Sequence, residues 1–392
     1  MRILFVADGR SPIALNWLRY WLERGDEVFL ASTFACKIDL PLAGLRIVPV
    51  AFSGTKSAPR PGSVKKGGLW GARSLGLRTV IRQLLGPLTI PRAAPALRRF
   101  VEETQPDLVH ALRIPYEGML AADALASSPI PLLISVWGND FTLHAPATPL
   151  MRHYTTWALH VADALHADCQ RDIRLAREWG FAPEKPTLVT PGNGGIRADL
   201  FYPPQALQGE PLVINPRGFR AYVRNDTFFK AIPLVLATKP DARFLCASMA
   251  GESQAEKWIR DLGIGSAVEL LAPMPHAEMA GLFRRASLVV SPATHDGTPN
   301  SLLEALACGC FPIAGDLESI REWITPEVNG LLVDPGDPAA LAAAILRGLN
   351  DPALRRRAAQ ANAKIIAERA EYGANMQKAA GFYKTVTDTK SS

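Results

Sequence analysis

Two carboxylates, Asp296 and Glu304, lie eight positions apart in the segment SPATHDGTPNSLLEALACG (291–309). A short apolar run precedes them, a turn with Gly297 and Pro299 follows the first acid, and an apolar helical pattern contains the second. The pattern predicts a strand, a loop and a helix, with one acid in the loop and the other one turn into the helix. A carboxylate at Glu304 can accept hydrogen bonds from both hydroxyls of a ribose.

The start of that helix is itself a predicted binding element. We expect Asn300 or Ser301 to cap the helix and Gly309 to end it. The backbone N–H groups of this loop would then point outward at the positive end of the helix, where they suit hydroxyl or anionic groups. The predicted ligand contacts are therefore Gly297, Thr298, Pro299, Asn300 and Ser301. An ordinary capped helix without a ligand explains the same pattern.

Around this loop, short apolar runs alternate with amphipathic stretches, as in a parallel sheet with helices on both faces. The first half of the chain predicts strands at Arg2–Asp8, Glu27–Ser32, Leu45–Phe52, Asp107–Leu112, Pro131–Trp137, Asp163–His166 and Thr187–Thr190. The second half predicts strands at Leu212–Asn215, Arg243–Ala247, Val268–Leu271, Leu288–Ser291, Phe311–Ala314 and Leu331–Val333. Ligands of such sheets bind beyond the carboxyl ends of the strands, which is where Asp296 is expected.

The two sets of strands predict an α/β protein with two Rossmann-like, doubly wound domains that face each other across an interdomain cleft. The proline-containing stretch FYPPQALQGEP (201–211) suits a linker, which places the domains at residues 1–204 and 205–370. We expect a last helix, at 371–386, to pack back on the first domain and the terminal DTKSS to be frayed.

The composition excludes several classes of protein. Of the 392 residues, 48% are apolar and 20% are charged, which excludes a mostly disordered chain. No apolar run reaches the ~18 residues of a membrane-spanning helix, and the apolar N-terminus fits a first strand better than a signal peptide. Five cysteines without a C-x-x-C motif predict free thiols, and the scattered histidines predict no metal site. We therefore expect a cytoplasmic protein.

The positive charge is concentrated in one segment. Residues 54–100 contain ten basic side chains and no acidic one, whereas the rest of the chain has 33 basic and 37 acidic residues. Leu77, Ile81, Leu84 and Leu85 fall on one face of a predicted basic helix, which suits the inner surface of a membrane or an anionic, lipid-linked acceptor. A helix that buries this face on its own domain is the alternative. The segment has few aromatic residues and no nucleic-acid-binding motif, so nucleic acid is not an expected partner.

The frame D-G-T-P-N-S-L-L-E-A-L-A-C-G (296–309) resembles the signature loop E-G-x-P-x-x-x-L-E-A-M-A-x-G of the retaining GT-B glycosyltransferases of family 4, glycosyl transferases group 1. The resemblance continues through PIAGDLESIREWITPEVNGLLVDPGDPAALAAAI (312–345). It is dense over residues 163–345, thinner over 1–160 and absent from 54–100. It implies the GT-B fold and the transfer of a sugar from a nucleotide-diphosphate sugar.

Arg217, which Gly218 follows, and Arg224 resemble the paired basic residues that hold the donor diphosphate in this family. Guanidinium groups there would stabilise the negative charge that develops on the leaving group. The resemblance implies that Arg217, Arg224 and Asp296 are catalytic and that Glu304 binds the donor. A solvated surface arginine is the alternative for Arg217 alone. The family needs no metal, and no cofactor is expected, since the nucleotide sugar is a co-substrate.

The sequence departs from the family pattern at three places. Asp296 stands where Glu is usual, the turn G-D-L-E-S (315–319) replaces a pair of glycines, and Trp137 occupies the place of a donor-contacting histidine. Asp140 of the same segment is retained. The candidates on the acceptor side are Gly9, Arg10, His110, Trp137 and Asp140. For His110 a buried structural histidine is the alternative. The loop at Gly9 is not a G-x-G-x-x-G, which argues against a nicotinamide dinucleotide.

These observations predict a retaining, metal-independent hexosyltransferase. It would move a sugar from a nucleotide-diphosphate sugar to an acceptor hydroxyl, for example of a lipid-linked or cell-envelope glycan. The sequence offers no obvious base, which fits a front-face mechanism in which the leaving phosphate accepts the proton of the acceptor. Two alternatives stay open: a nucleotide-sugar epimerase and a non-catalytic nucleotide-sugar-binding subunit.

Overall fold

The computed structural model describes residues 1–53, 82–206, 210–220 and 222–391. These residues form two compact units. The first consists of the described chain up to Gly194 together with the C-terminal segment from Ala374, and the second runs from Gly195 to Gly373. Each unit has its own parallel sheet and its own hydrophobic core.

The first unit contains a seven-stranded sheet. Its strands are β1 (Arg2–Ala7), β2 (Glu27–Ser32), β3 (Gly44–Ile47), β4 (Leu108–Ala111), β5 (Leu132–Val136), β6 (Ala164–Ala167) and β7 (Thr187–Val189). All are parallel, in the order β3-β2-β1-β4-β5-β6-β7. The described α-helices among them are α1 (Pro12–Glu23), α2 (Ile90–Thr104), α3 (Met119–Leu125), α4 (Pro149–Val161) and α5 (Gln170–Glu178).

The inner strands β1, β4, β5 and β6 are buried on both faces, because helices cover both faces of the sheet. Leu4 and Val6 of β1 pack into the main core of the unit. Phe5 points to the other face, where its ring centre lies 5.6 Å from that of His110. The apolar stripe of α1 covers that face, since Trp17 and Trp21 are both buried. The 3.6-residue period of the sequence therefore determines which side of α1 contacts the sheet.

The second unit contains a six-stranded sheet. Its strands are β8 (Leu212–Asn215), β9 (Arg243–Cys246), β10 (Val268–Leu270), β11 (Leu288–Ser291), β12 (Phe311–Gly315) and β13 (Leu331–Val333), all parallel in the order β10-β9-β8-β11-β12-β13. Its described helices are α6 (Asn225–Leu236), α7 (Ser253–Leu262), α8 (His276–Arg285), α9 (Asn300–Ala307), α10 (Glu318–Arg321), α11 (Pro338–Asn350) and α12 (Pro352–Arg369). The last helix, α13 (Tyr372–Ser391), belongs to the first unit from Ala374 onward.

Every strand except β3 lies within one residue of its predicted bounds. The prediction of a strand over Leu45–Phe52 was wrong after Ile47. The N–H groups of Val50 and Ala51 donate to the side chains of Ser53 and Thr89, not to a neighbouring strand. Ala51 and Phe52 also have positive φ angles of 51° and 62°, which extended strands do not contain.

Two further expectations need correction. The described part of the predicted frayed end is helical, because α13 continues to Ser391 and Lys390 Nζ donates to Asp163 Oδ2 at 2.6 Å. The boundary between the units lies at Gly194 and not at 204. The reason is local: Ile196 N donates to Ala370 O at 2.6 Å, and a Cβ at Gly195, whose φ is +120°, would lie 2.5 Å from the same carbonyl oxygen. The chain after Gly194 is thereby bonded to the second unit.

Each sheet has one place where the strand order reverses. It lies between β1 and β4 in the first unit and between β8 and β11 in the second. The loops that leave such neighbouring strands turn to opposite faces of the sheet, which opens a crevice at the carboxyl edge. These loops begin at Asp8 and Leu112 in the first unit and at Pro216 and Pro292 in the second. Among the described helices, none has both the length and the apolar character that crossing a bilayer requires.

Candidate functional site

An ion pair lies at the crevice of the second unit. Arg217 follows β8, Asp296 follows β11, and Arg217 Nη2 donates to Asp296 Oδ2 at 2.6 Å. The two side chains are only 11% and 14% exposed, so water screens the pair little. Arg217 Nε is buried and has no hydrogen-bond partner among the described residues. The guanidinium thus retains a donor for a ligand oxygen while Asp296 holds its other side.

Glu304 completes this group from within α9. Its side chain is 7% exposed, and burial raises the pKa of its carboxyl to about 7, while the positive charge of Arg217 acts in the opposite direction. The electrostatic influence of Arg217 shows that the two groups lie near each other. The structure therefore places Arg217 in contact with Asp296 and close enough to Glu304 to influence its pKa, which burial raises to about 7.

The start of α9 differs from the prediction. Pro299, and neither Asn300 nor Ser301, is the residue before the helix, and within the described chain no side chain caps it. A proline side chain has no acceptor atom, and Asn300 and Ser301 already lie inside the helix. Asn300 Oδ1 and Ser301 Oγ are buried without a hydrogen-bond partner among the described residues. Two polar side chains beside the positive helix end are therefore available to a ligand.

Contacts from α10 and the residues after it hold the loop that precedes α9. Ser319 Oγ donates to the carbonyl oxygen of Asp296 at 2.7 Å, and Trp323 Nε1 donates to Thr298 Oγ1 at 2.9 Å. Gly297 and Thr298 are buried. The turn that departs from the family pattern thus contributes a serine that fixes the backbone of the acidic residue.

A pair of buried asparagines positions Arg217. Asn215 Oδ1 accepts from Arg217 N at 3.2 Å, and Asn215 Nδ2 donates to Asn225 Oδ1 at 3.1 Å. Asn225 Nδ2 in turn donates to the carbonyl oxygen of Gly218 at 3.2 Å. Sequence reasoning missed both asparagines. From the sequence, Asn215 is only the last residue of an apolar strand and Asn225 only the start of a helix. Their contact in the structure shows that they position Arg217.

Arg224 lies in a different environment from Arg217. Its Nε and Nη2 donate to the two oxygens of Asp226, each at 2.8 Å. Its backbone N donates to Pro292 O at 2.9 Å, and the neighbouring Val223 forms a bridge with Ala293. The backbone of Arg224 is thus bonded to the loop that carries Asp296, whereas its side chain is paired with a carboxylate two positions along.

Gly315, the last residue of β12, packs directly against the same loop. A Cβ at this position would lie 2.3 Å from the carbonyl oxygen of Ala293. We expect Gly315→Ala to destabilise the fold by about 1–3 kcal/mol, as overpacking does, and to weaken ligand binding at Asp296. The same substitution at Gly281 in α8, where no atom lies within 4 Å, should stabilise the protein slightly. Thermal unfolding of both variants tests this; equal effects of the two substitutions would contradict it.

The first unit has a pocket of about 410 Å³ at its own crevice. It lies beyond β1, β4 and β5 and is lined by Ala7, Asp8, Arg10, Ser11, Ala14, Phe34, Arg82, Gln83, Leu112, Arg113, Pro115, Tyr116, Glu117, Trp137 and His144. Of the predicted acceptor-side residues, Arg10 and Trp137 line this pocket. Sequence reasoning missed Arg82, Arg113 and Glu117, which no motif distinguishes from surface residues.

Asp140 does not line the pocket but binds two residues that do. It is 1% exposed, and its carboxylate accepts from Arg113 Nε at 3.0 Å and from the backbone N–H of Trp137 at 3.1 Å. Burial raises the pKa of Asp140, and the charge of Arg113 opposes this effect. Gly9 does not line the pocket: its N–H donates to Ser32 Oγ at 3.0 Å. Gly9 and Asp140 are therefore structural neighbours of the pocket.

His110 is a core residue. Its Nδ1 lies 2.5 Å from Tyr383 Oη and its Nε2 lies 2.8 Å from Ser135 Oγ, which in turn lies 2.9 Å from His166 Nδ1. His166 Nε2 lies 3.0 Å from Thr190 Oγ1. This chain of hydrogen bonds ties α13 to the sheet. His110 is fully buried, so the alternative interpretation, a structural histidine, is the correct one.

This histidine chain predicts an acid-sensitive fold. Burial lowers the pKa of His166 from 6.5 to about 4 and also lowers that of His110. Between these values the unfolded chain binds a proton that the folded chain does not, so the contribution of His166 to the free energy of unfolding should fall as the pH decreases from 6.5 to about 4. Thermal unfolding of the wild type and of His166→Gln across this range measures it. The difference in stability between these two proteins should change with pH, whereas the difference between the wild type and the exposed His153→Gln should not; a pH-independent difference for His166→Gln would contradict the prediction.

The described part of the chain contains one group of three side chains that could hold a metal. Ligand atoms of Asp168, Cys169 and Asp172 lie within 4.8 Å of one another, and all three residues are buried. Arg171 donates to Asp172 Oδ1 from Nη2 at 2.7 Å and from Nε at 3.0 Å. A guanidinium therefore already balances the charge of Asp172. The expectation of a metal-independent protein stays a prediction.

Comparison with known protein families identifies the family of this chain. Residues 201–365 match the family described as Glycosyl transferases group 1, and residues 9–192 match the Glycosyl transferase 4-like domain. The two matches together span most of the chain. The chain belongs to the group 1 glycosyltransferases. The family resemblance of the 296–309 loop is thereby confirmed.

Relatives of this group 1 glycosyltransferase include two curated proteins. D-inositol 3-phosphate glycosyltransferase 1 of Catenulispora acidiphila is 28% identical over 274 residues, which cover 63% of this chain and 65% of the relative. D-inositol 3-phosphate glycosyltransferase of Thermobispora bispora is 29% identical over 212 residues, or 49% of each chain. The matches thus span about half to two thirds of these relatives.

Solved structures confirm the GT-B fold of this group 1 glycosyltransferase. Sucrose-phosphate synthase from Thermosynechococcus elongatus superimposes with a TM-score of 0.76 at 17% identity, over 99% of this chain and all of the other. Anabaena HepE in complex with UDP-glucose gives a TM-score of 0.73, also at 17% identity, over 98% of this chain and all of the other. The two parallel sheets with their helices form two Rossmann-like domains, as this fold requires.

Proposed function

We propose that this protein transfers a sugar from a nucleotide-diphosphate sugar to an acceptor hydroxyl, with retention of configuration and without a metal ion. The observation that carries the proposal is the group formed by Arg217, Asp296 and Glu304 at the crevice of the second unit. It combines a cation for the leaving group with two carboxylates that suit sugar hydroxyls. Family membership and the matched fold support the same reaction.

In this proposal Arg217 stabilises the diphosphate. Its buried Nε has no protein partner among the described residues, and a charge-assisted hydrogen bond to a phosphate oxygen would satisfy it. Arg224 contributes a second cation when the diphosphate replaces Asp226 as the partner of the Arg224 guanidinium. Negative charge on the leaving oxygen grows as the sugar–oxygen bond breaks, so cations here stabilise the transition state more than the ground state.

Glu304 and the start of α9 hold the rest of the donor in our proposal. The carboxylate of Glu304 accepts hydrogen bonds from the two ribose hydroxyls. Asp296, the amides of the loop, and the side chains of Asn300 and Ser301 bind the sugar. In this proposal Glu304 and Asp296 are occupied by donor hydroxyls, and the leaving phosphate itself takes the proton of the acceptor on the same face of the sugar.

The names of similar proteins support a nucleotide-sugar donor. The Anabaena HepE structure contains UDP-glucose, and the curated relatives are D-inositol 3-phosphate glycosyltransferases. The experiment that tests the proposal is a thermal-shift and calorimetric screen of UDP-, GDP-, ADP- and dTDP-sugars, followed by transfer assays with the donor that binds. The anomeric configuration of the product, read by NMR, tests retention, and activity in EDTA tests metal independence.

The screen also separates the alternatives. Conversion of the donor to an epimer without any acceptor would indicate an epimerase. Tight donor binding without a product across an acceptor panel would indicate a binding subunit. Failure of all four nucleotide sugars to bind would overturn the proposal.

We also propose that the basic segment contacts an anionic membrane surface. Leu77 and Ile81 of the predicted apolar face lie outside the described residues. Leu84 and Leu85 of that face are described and are 47% and 48% exposed, and Leu88 is 50% exposed, which supports a surface role for this end of the segment. Sedimentation with vesicles that contain anionic lipid, compared with neutral vesicles, tests this peripheral association.

A further inference from the structure

The loop between β11 and α9 depends on contacts from residues outside it. No side chain among the described residues caps α9, because Pro299 stands at the position before the helix. The first N–H groups of a helix need partners from elsewhere when no local cap is present. Tertiary contacts therefore have to hold the start of α9, and Trp323 makes one of them.

Trp323 binds this loop directly. Its Nε1 donates to Thr298 Oγ1 at 2.9 Å, and the two residues are only 5% and 4% exposed. Water cannot easily replace a hydrogen bond between buried groups, so the loss of either partner leaves the other unsatisfied. Ser319, a few positions before Trp323, donates to the carbonyl oxygen of Asp296 at 2.7 Å. The segment from Ser319 to Trp323 thus holds the loop on both sides of Gly297.

The last turn of α12 fixes the indole ring of Trp323. The Arg369 guanidinium lies 4.4 Å from the centre of the ring, and Arg369 Nη1 donates to the carbonyl oxygen of Glu322 at 2.6 Å. A guanidinium over the face of an indole is attracted by the negative charge of the π system. One side chain of α12 therefore holds both the ring and the backbone just before it.

A pair of buried asparagines holds the backbone of Trp323. Asn329 Nδ2 donates to the carbonyl oxygen of Trp323 at 2.8 Å and to Asn362 Oδ1 at 2.8 Å, and Asn362 Nδ2 donates to the carbonyl oxygen of Asn329 at 3.0 Å. Asn329 and Asn362 are 2% and 0% exposed, and a buried network with its hydrogen bonds made is rigid. Asn362 lies about two helical turns before Arg369, so both project from one face of α12. Helix α12 therefore determines where Trp323 lies.

We propose that Trp323 is a positioning residue for the donor sugar. It transmits the position of α12 to Thr298 and thereby keeps the backbone amides after Gly297 directed at the sugar. The inference rests on the proposed donor site at this loop. In that proposal Arg217 binds the diphosphate, so Trp323 should affect the sugar end of the donor and not the nucleotide end.

Calorimetry on the full chain tests this with two ligands. The first is the tightest-binding of UDP-, GDP-, ADP- and dTDP-glucose, and the second is the same nucleoside diphosphate without the sugar. Trp323→Phe keeps an aromatic ring for Arg369 and removes the N–H group. We expect it to weaken binding of the nucleotide sugar about three- to tenfold, as the loss of one hydrogen bond does, and to change binding of the nucleoside diphosphate less than about twofold. Any result in which the nucleotide sugar is not the more affected ligand would overturn the proposal.

A double-mutant cycle shows whether the effect passes through Thr298. Thr298→Val removes the acceptor and should weaken binding of the nucleotide sugar as much as Trp323→Phe does, whereas Thr298→Ser, which keeps the hydroxyl, should bind it like the wild type. The double variant of Trp323→Phe and Thr298→Val should bind no more weakly than the weaker single variant. Effects that multiply would mean that the two residues act independently, contrary to the proposal.

The matched control is Trp17→Phe. Trp17 is also buried, and its Nε1 donates to the carbonyl oxygen of Gly192 at 2.9 Å, but it lies in the first unit. This variant should lose thermal stability, as Trp323→Phe should, and yet bind both ligands like the wild type. If it weakened sugar binding equally, the effect would be a general loss of stability and the positioning role would fall. A wild type that binds none of the four nucleotide sugars would overturn the proposed function and this inference together, whereas donor binding that Trp323→Phe leaves unchanged counts against the positioning role alone.

Discussion

Arg217→Ala is expected to lower the rate of sugar transfer by about a hundred- to a thousandfold, which is the effect of removing one preorganised donor from a developing anion. The substitution removes the cation that the structure places beside Asp296 and Glu304, including the buried Nε that has no protein partner among the described residues. The rate constant for transfer at saturating donor, measured with the donor that the screen identifies, tests the prediction.

The matched control is Arg243→Ala, which removes the same charge from the exposed amino end of β9, away from the carboxyl edge of the sheet. It should leave the rate unchanged. Arg217→Ala also leaves Asp296 without its ion-pair partner, so the double variant with Asp296→Asn separates the two effects. If Arg217 itself acts on the leaving group, the double variant should be at least as slow as Arg217→Ala. An unchanged rate in Arg217→Ala would remove the assignment.

The second large effect concerns Glu304 and pH. An ionised carboxylate is needed to accept hydrogen bonds from both ribose hydroxyls, and burial raises the pKa of Glu304 to about 7. The donor affinity should therefore be constant well above pH 7 and fall by up to tenfold per pH unit below it. Calorimetric titration of the donor between pH 5.5 and 8.5 measures this dependence.

Glu304→Gln is the informative variant, because it keeps the shape of the side chain and cannot ionise. We expect its donor affinity to be about 10- to 100-fold weaker than that of the wild type at pH 8 and independent of pH. The stability of Glu304→Gln at pH 8 should, in contrast, be higher than that of the wild type. Since the pKa is raised from 4.5 to about 7 in the fold, ionisation of Glu304 opposes folding above pH 4.5, and the variant should unfold at a higher temperature at pH 8. A pH-independent donor affinity in the wild type would contradict the role of Glu304.

Local patterns in the sequence determined the elements that carry the site. Apolar runs between turn residues located the strands, because a parallel strand buried on both faces must be apolar throughout. The spacing of Asp296 and Glu304 located the loop and α9, since both residues belong to one contiguous segment. The prediction failed at Ala51, where the backbone leaves the sheet for side-chain partners, and at the C-terminus, where contact with distant Asp163 stabilises the helix.

Only the tertiary structure decided which of these residues meet. Arg217 and Asp296 are 79 positions apart, and the reversal of strand order between β8 and β11 brings them into contact. In the same way, Tyr116 holds Arg82 from 34 positions away, and Tyr383 withdraws His110 into the core from 273 positions away. None of these residues belongs to a periodic pattern in the sequence, and their types are also found on protein surfaces. The role of each one depends on a partner that is distant in the sequence. The strand order of the parallel sheet brings the two into contact.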